Sequence, residues 1–63
     1  MAKVIKLKDG RSVKLHINSM TGEVLGESWY NKEGELHRDH GLPAIVATDG
    51  YESYYKRNSL YKL

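Results

Sequence analysis

The densest run of chemically capable side chains in this 63-residue chain is His37-Arg38-Asp39-His40, with Glu35 just before it and His16 elsewhere. Two imidazoles three positions apart at a strand-to-loop transition can converge on zinc, and a neighbouring carboxylate can complete the shell. Against this, His37 and His40 point to opposite faces of a strand unless the loop bends sharply, and the chain has no cysteine to add a thiolate. The reading preferred is that His37 packs against Trp29 across a strand pair, while Arg38 and Asp39 form a surface ion pair.

Other catalytic chemistry has less to stand on. Ser28, Ser53 and Ser59 lack the sharp strand-to-helix turn that presents a nucleophile, and a general base needs a third group to orient it within a rigid shell. Glu33 and Glu35 flank a turn, where carboxylates are solvated. We therefore expect no enzymatic activity, no cofactor and no metal.

The aromatic residues are Trp29, Tyr30, Tyr51, Tyr54, Tyr55 and Tyr61, with no phenylalanine. In Trp29-Tyr30 and Tyr54-Tyr55, strand alternation sends one ring of each pair inward and the other outward. Outward tyrosine beside Lys and Arg suits a protein interface, where a rigid ring adds contact area at small entropic cost. It also suits unpaired bases, which stack on such rings while Lys56 and Arg57 meet phosphates. A third reading is that the rings merely cover a thin core.

These side chains must be positioned by short strands. Lys8-Asp9-Gly10, Met20-Thr21-Gly22, Lys32-Glu33-Gly34 and Thr48-Asp49-Gly50 each lie between apolar or β-branched stretches. Glycine at the third loop position accepts the left-handed conformation that closes a three-residue hairpin loop. Three-residue loops pair Leu7 with Arg11, Ile5 with Val13, Ile17 with Leu25, Val13 with Trp29, and Trp29 with His37. One face is then apolar, with Ile5, Val13, Leu25 and Trp29 shielded together, and the reverse carries Lys6, Ser12, Lys14, His16, Gly26 and Ser28. Glu27 is the exception, falling on the apolar side beside Leu15 unless a bulge at Gly26 shifts the register or the position lies at the rim.

After Arg38, Asp39-His40-Gly41-Leu42-Pro43 breaks the ladder before a strand resumes at Ala44-Ile45-Val46-Ala47. Tyr51 to Lys56 reads as another strand, Arg57-Asn58-Ser59 as a turn, and Leu60 to Leu63 as a last strand. No segment holds a helical period over ten or more residues. The fold expected is all-β: a single small antiparallel meander of six to seven short strands, able to curl into a half-barrel.

Length and charge set the class of protein. A chain of 63 residues supports one domain with a thin core, not a deep enclosed site. The absence of cysteine fits a reducing cytoplasm, and Met1 to Lys8 has no apolar run of the length a signal peptide or membrane span needs. The net charge of +2 is unevenly spread. Residues 1–16 set Lys3, Lys6, Lys8, Arg11 and Lys14 against Asp9 alone, whereas residues 17–53 set Lys32 and Arg38 against Glu23, Glu27, Glu33, Glu35, Asp39, Asp49 and Glu52. The tail adds Lys56, Arg57 and Lys62. An acidic middle is unusual in a dedicated nucleic-acid binder, although folding could join the basic ends.

An internal echo divides the chain into a three-strand meander over residues 1–30 and two hairpin units over residues 27–63. Glu27-Ser28-Trp29-Tyr30-Asn31-Lys32 returns 25 positions later as Glu52-Ser53-Tyr54-Tyr55-Lys56-Arg57, and Leu36-His37-Arg38 corresponds to Leu60-Tyr61-Lys62. The run from Trp29 to Ile45 carries an aromatic strand, Asn31 and Gly34 in a turn, Leu36-His37-Arg38, then Gly41, Pro43 and Ala44, with a second Asp49-Gly50 turn. This resembles the MORN-like repeat variant of small bacteriophage and bacterial proteins. The resemblance covers Trp29 to Gly50, about a third of the chain, and departs from the pattern by Lys32-Glu33 before Gly34 and by Leu42 between Gly41 and Pro43. It implies tandem β-hairpins, no known catalysis and a phage accessory role, and it supplies no ligand site.

The expected function is a non-catalytic binding module that engages a host or cellular protein, through Tyr30, His37, Arg38, Tyr54, Tyr55, Lys56, Arg57 and Tyr61. The alternative is a β module for single-stranded nucleic acid, using Lys3, Lys6, Lys14, Lys56 and Arg57 for phosphates and outward tyrosines for bases. Exposed edge strands would also permit a homodimer. No membrane partner is expected.

Overall fold

The computed structural model describes residues 2–62. Six strands, β1 (Ala2–Lys6), β2 (Ser12–Ile17), β3 (Val24–Tyr30), β4 (Ile45–Ala47), β5 (Glu52–Lys56) and β6 (Ser59–Lys62), pair antiparallel in chain order as one sheet. The all-β meander read from the turn glycines is the fold. Its sheet is open, not closed into a barrel. The strand expected from Leu60 starts one residue earlier, at Ser59, and its expected end at Leu63 lies outside the described residues.

Three of the four glycine loops close as their sequence dictates. Leu7 N–H donates to Arg11 O at 2.8 Å and Gly10 N–H to Leu7 O at 3.1 Å, with Gly10 in the left-handed region at φ 96°. The same two bonds close Asn31 to Glu35 and Ala47 to Tyr51. A side-chain oxygen stiffens each loop: Asp9, Asn31 and Asp49 accept from the N–H groups of Arg11, Glu33 and Tyr51. Register follows, with Ile5 opposite Val13 and Val13 opposite Trp29.

The loop ending at Gly22 corrects the sequence reading. Asn18 N–H donates to Glu23 O and Gly22 N–H to Asn18 O, both at 2.8 Å, so the loop has four residues, Ser19 to Gly22. The Asn18 side chain holds it open by accepting from Met20 and Thr21 N–H. Ile17 therefore faces Val24 and not Leu25, and the register shifts by one residue before His16 meets Gly26. Leu25 is the bulged residue. Its carbonyl is taken by Thr48, which donates from both N–H at 3.0 Å and Oγ1 at 3.3 Å. Since loop and bulge cancel, Leu15 still faces Glu27 and Glu27 stays on the apolar side. Next to the bulge, Gly26 permits a close backbone approach, because a Cβ there would lie 2.6 Å from the Val46 carbonyl oxygen.

The strand expected over Leu36–Arg38 is reduced to a single bridge, Leu36 to Tyr30. Its relation to β4 explains why. His37 N–H donates to Trp29 O at 2.9 Å, and Trp29 N–H donates to Ala44 O at 2.7 Å. Leu36–His37 and Ala44–Ala47 thus occupy one strand position beside β3, interrupted where Asp39-His40-Gly41-Leu42-Pro43 loops out. On the other side the same broken strand meets β5, through Arg38 N–H to Tyr55 O at 3.4 Å and Ala44 N–H to Ser53 O at 2.9 Å.

The core is thinner than the alternation implied. Val13 and Ala44 are the buried hydrophobic residues among those described, while Ile5 is 41% and Leu25 45% exposed. The expected shielded set of Ile5, Val13, Leu25 and Trp29 therefore fails at two members: Ile5 lies on the edge strand, and Leu25 sits in the bulge. With no helix or second sheet among the described residues to cover it, the single layer measures 32 × 27 × 16 Å.

Candidate functional site

The pairing places two aromatic rings under two cations. The Arg38 guanidinium lies 3.9 Å from the Trp29 ring centroid, donates from Nη1 to Pro43 O at 3.2 Å, and stands 4.0 Å from Glu27 Oε1. Trp29 Nε1–H donates to the same Glu27 oxygen at 3.1 Å. This gives Glu27 its partners on an otherwise apolar face. On the next hairpin Lys62 Nζ lies 5.1 Å from the Tyr54 ring. Ser28 and Ser53, 5% and 0% exposed, face Ile45 from either side, and Tyr30 faces Leu36 as Tyr55 faces Leu60.

The tip of the terminal hairpin is held against Leu36–His37. Arg57 and Asn58 form a two-residue turn with φ of 48° and 67°, the paired left-handed geometry that matches strand twist. Asn58 Oδ1 accepts from Leu36 N–H at 2.7 Å, and Asn58 N–H donates to Leu36 O at 2.9 Å. Arg57 N–H donates to His37 Nδ1 at 3.2 Å, so that nitrogen is the acceptor and Nε2 carries the proton, which is donated to Asp39 Oδ1 at 2.7 Å. The ion pair expected between Arg38 and Asp39 is therefore replaced: Asp39 joins His37, and Arg38 lies over Trp29. The His37 hydrogen bond holds the Asp39 carboxyl below its ordinary value of 3.8.

Both His37 ring nitrogens are hydrogen-bonded within the structure. Among the described residues no group of three or more histidine or acidic side chains converges on a point that could hold a metal ion. No helix of the described residues is long and apolar enough to cross a membrane.

Two surface features gather the expected binding residues. The first is an aromatic patch on β5 and β6, where the Tyr54 and Tyr61 rings meet edge to face at 6.1 Å and 62°. Lys56 Nζ lies 5.5 Å from the Tyr61 ring, and Tyr61 is 47% exposed. The second is an open depression of about 370 Å³ at the loop end of the sheet, lined by Asp9, Arg11, Lys32, Glu33, His37 and Arg57 among others. On its floor Arg11 Nε lies 2.6 Å from Asp9 Oδ2, and His37 Nε2 is hydrogen-bonded to Asp39 Oδ1. The backbone N–H of Arg11 is the main cause that lowers the Asp9 pKa from 3.8, followed by its guanidinium.

The expected binding residues are thus divided. Tyr54, Lys56 and Tyr61 come together, and Arg57 joins His37 in the depression. Arg38 is committed to Trp29, and Tyr30 and Tyr55 are half-buried on the face opposite Trp29 and Tyr54. Lys62 was missed, although the internal echo aligns it with Arg38. The basic ends do not merge as strands, since β1 and β6 are the opposite edges of the sheet and share no contact.

No protein-family model matches this chain, and no curated protein or solved structure is detectably similar to it.

Proposed function

We propose that this chain is a small non-catalytic binding module that docks stoichiometrically on another protein. Following the MORN-like resemblance, we place it among phage-type accessory proteins that act on a host protein in the host cytoplasm. The observation that carries this reading is the preassembled aromatic patch of Tyr54 and Tyr61. Its two rings are fixed against each other, and its hairpin is anchored at Asn58. Rings already ordered lose little entropy on binding, and tyrosine in such a setting is a frequent interface anchor.

Single-stranded nucleic acid is the second reading, favoured by Lys56 and Lys62 beside the rings. The geometry favours it less. A base needs an open ring face, and here an ammonium lies over each ring, while the edge-to-face arrangement offers no parallel slot.

Affinity capture from bacterial lysate with the natural chain and a Tyr54→Ala/Tyr61→Ala variant tests the proposal. A protein recovered in equimolar amount by the first and lost with the second supports it. Equal recovery by both, or binding only to oligonucleotides that fades steeply with salt, contradicts it.

A further inference from the structure

The edge formed by β1 points to a second docking surface, separate from the aromatic patch. All five residues of β1 are exposed, with Val4 at 56% and Ile5 at 41%. Because Leu7 N–H donates inward to Arg11 O, antiparallel alternation turns the polar groups of Ile5 and Lys3 inward to β2 as well. Those of Val4 and Lys6 face away from the sheet, unpaired.

An unpaired edge is a template for another strand, and proteins discourage casual pairing there with lysine. Here the charges also select. Lys3 and Lys6 project from opposite faces of β1, and Lys14 lies beside Val4 on β2. None of the three is in an ion pair among the described residues. Asp9, the acid nearest in the chain, is already held by Arg11. A strand added along this edge meets Lys3 and Lys6 directly, with Val4 and Ile5 between them. Cross-strand neighbours of opposite charge are favourable and like charges are not.

We infer that β1 accepts an extended acidic segment of another protein by strand addition, with acidic residues opposite Lys3 and Lys6 and two β-branched residues opposite Val4 and Ile5. This acid, apolar, apolar, acid order reads the same in both chain directions. A second copy of this chain is disfavoured as occupant, because its own edges, β1 and β6, both carry lysine.

The test is an NMR titration with the capped peptide Thr-Glu-Val-Val-Glu-Thr. The expected result is a shift of the Val4 and Lys6 amides, with Ile5 little affected. The same peptide methylated at its backbone nitrogens, which keeps the charge but removes the donors, should bind about tenfold more weakly. Val4→Pro should weaken binding as much while leaving the sheet folded, since its N–H serves no bond within the sheet. Lys3→Glu/Lys6→Glu should do the same. Undiminished binding of the methylated peptide, or equal binding of a Val-Glu-Glu-Val core, overturns the inference. So does oligothymidine shifting the same amides as strongly, or a dimer of the chain that buries this edge.

Discussion

The Arg38 guanidinium lies 3.9 Å over the ring of Trp29, and one hairpin later Lys62 lies 5.1 Å over Tyr54. The echoed residues of the sequence thus build one device twice: a cation at the end of a returning segment, seated on the aromatic residue of the strand before it. In the first copy the cation also binds Pro43 O and approaches Glu27, which closes the broken strand over the core. In the second it leaves a neighbouring ring, Tyr61, half exposed.

Replacing Arg38 by methionine should therefore destabilise the fold by about 1–2 kcal/mol, through loss of the cation–π contact and of the Pro43 hydrogen bond. Trp29 fluorescence should shift to the red at the same time. Urea denaturation followed by emission checks both, and Lys62→Met, in a more exposed stack, should cost less.

Gly26→Ala should destabilise by about 1–3 kcal/mol, because the added methyl meets the Val46 backbone oxygen at 2.6 Å and one of two paired strands must shift. Loss of the Glu27 to Val46 pairing in hydrogen exchange would accompany the fall in the denaturation midpoint.

Ser53 has its hydroxyl fully buried with no hydrogen-bond partner in the structure. Ser53→Ala removes an unsatisfied polar group without opening a large cavity, so thermal unfolding should show stability unchanged or raised by about 1 kcal/mol. Ser28→Ala should behave differently, since Ser28 Oγ and His16 Nε2 are hydrogen-bonded at 2.9 Å.

Acid should weaken the loop end first. The Asp9 and Asp39 carboxyls both titrate below 3.8 in the folded chain, held down by hydrogen bonds from Arg11 and His37 respectively. A carboxylate depressed on folding contributes its stability above its unfolded pKa and loses it as pH falls through the folded value. The urea midpoint should decline as pH drops below 3.8, and Asp9→Asn/Asp39→Asn should flatten that decline while lowering the plateau above it.

Much of the sheet was legible because local rules sufficed. Gly10 fixes a three-residue loop, and alternation then sets Ile5 against Val13 and Val13 against Trp29. The four-residue loop before Glu23 left no trace in that alternation, since the bulge at Leu25, one residue from the Gly26 position considered for it, undoes the loop's register shift. The merging of Leu36–His37 with Ala44–Ala47 depends on which carbonyl Trp29 N–H selects, a choice made in three dimensions. The aromatic patch was half visible: Tyr54, Lys56 and Tyr61 could be named from strand alternation and charge. The anchoring of Asn58 on Leu36, 22 residues away, has no local signal.

The terminal hairpin is fixed in place by Asn58 and presents Tyr54 and Tyr61 as one preformed surface. A two-dimensional NOE spectrum of the free chain tests it most directly. Cross-peaks between the Tyr54 and Tyr61 rings, together with contacts from the Asn58 side chain to the Leu36 amide, are predicted. Well-dispersed strand resonances lacking both sets of cross-peaks would show a loose hairpin with no preformed aromatic surface.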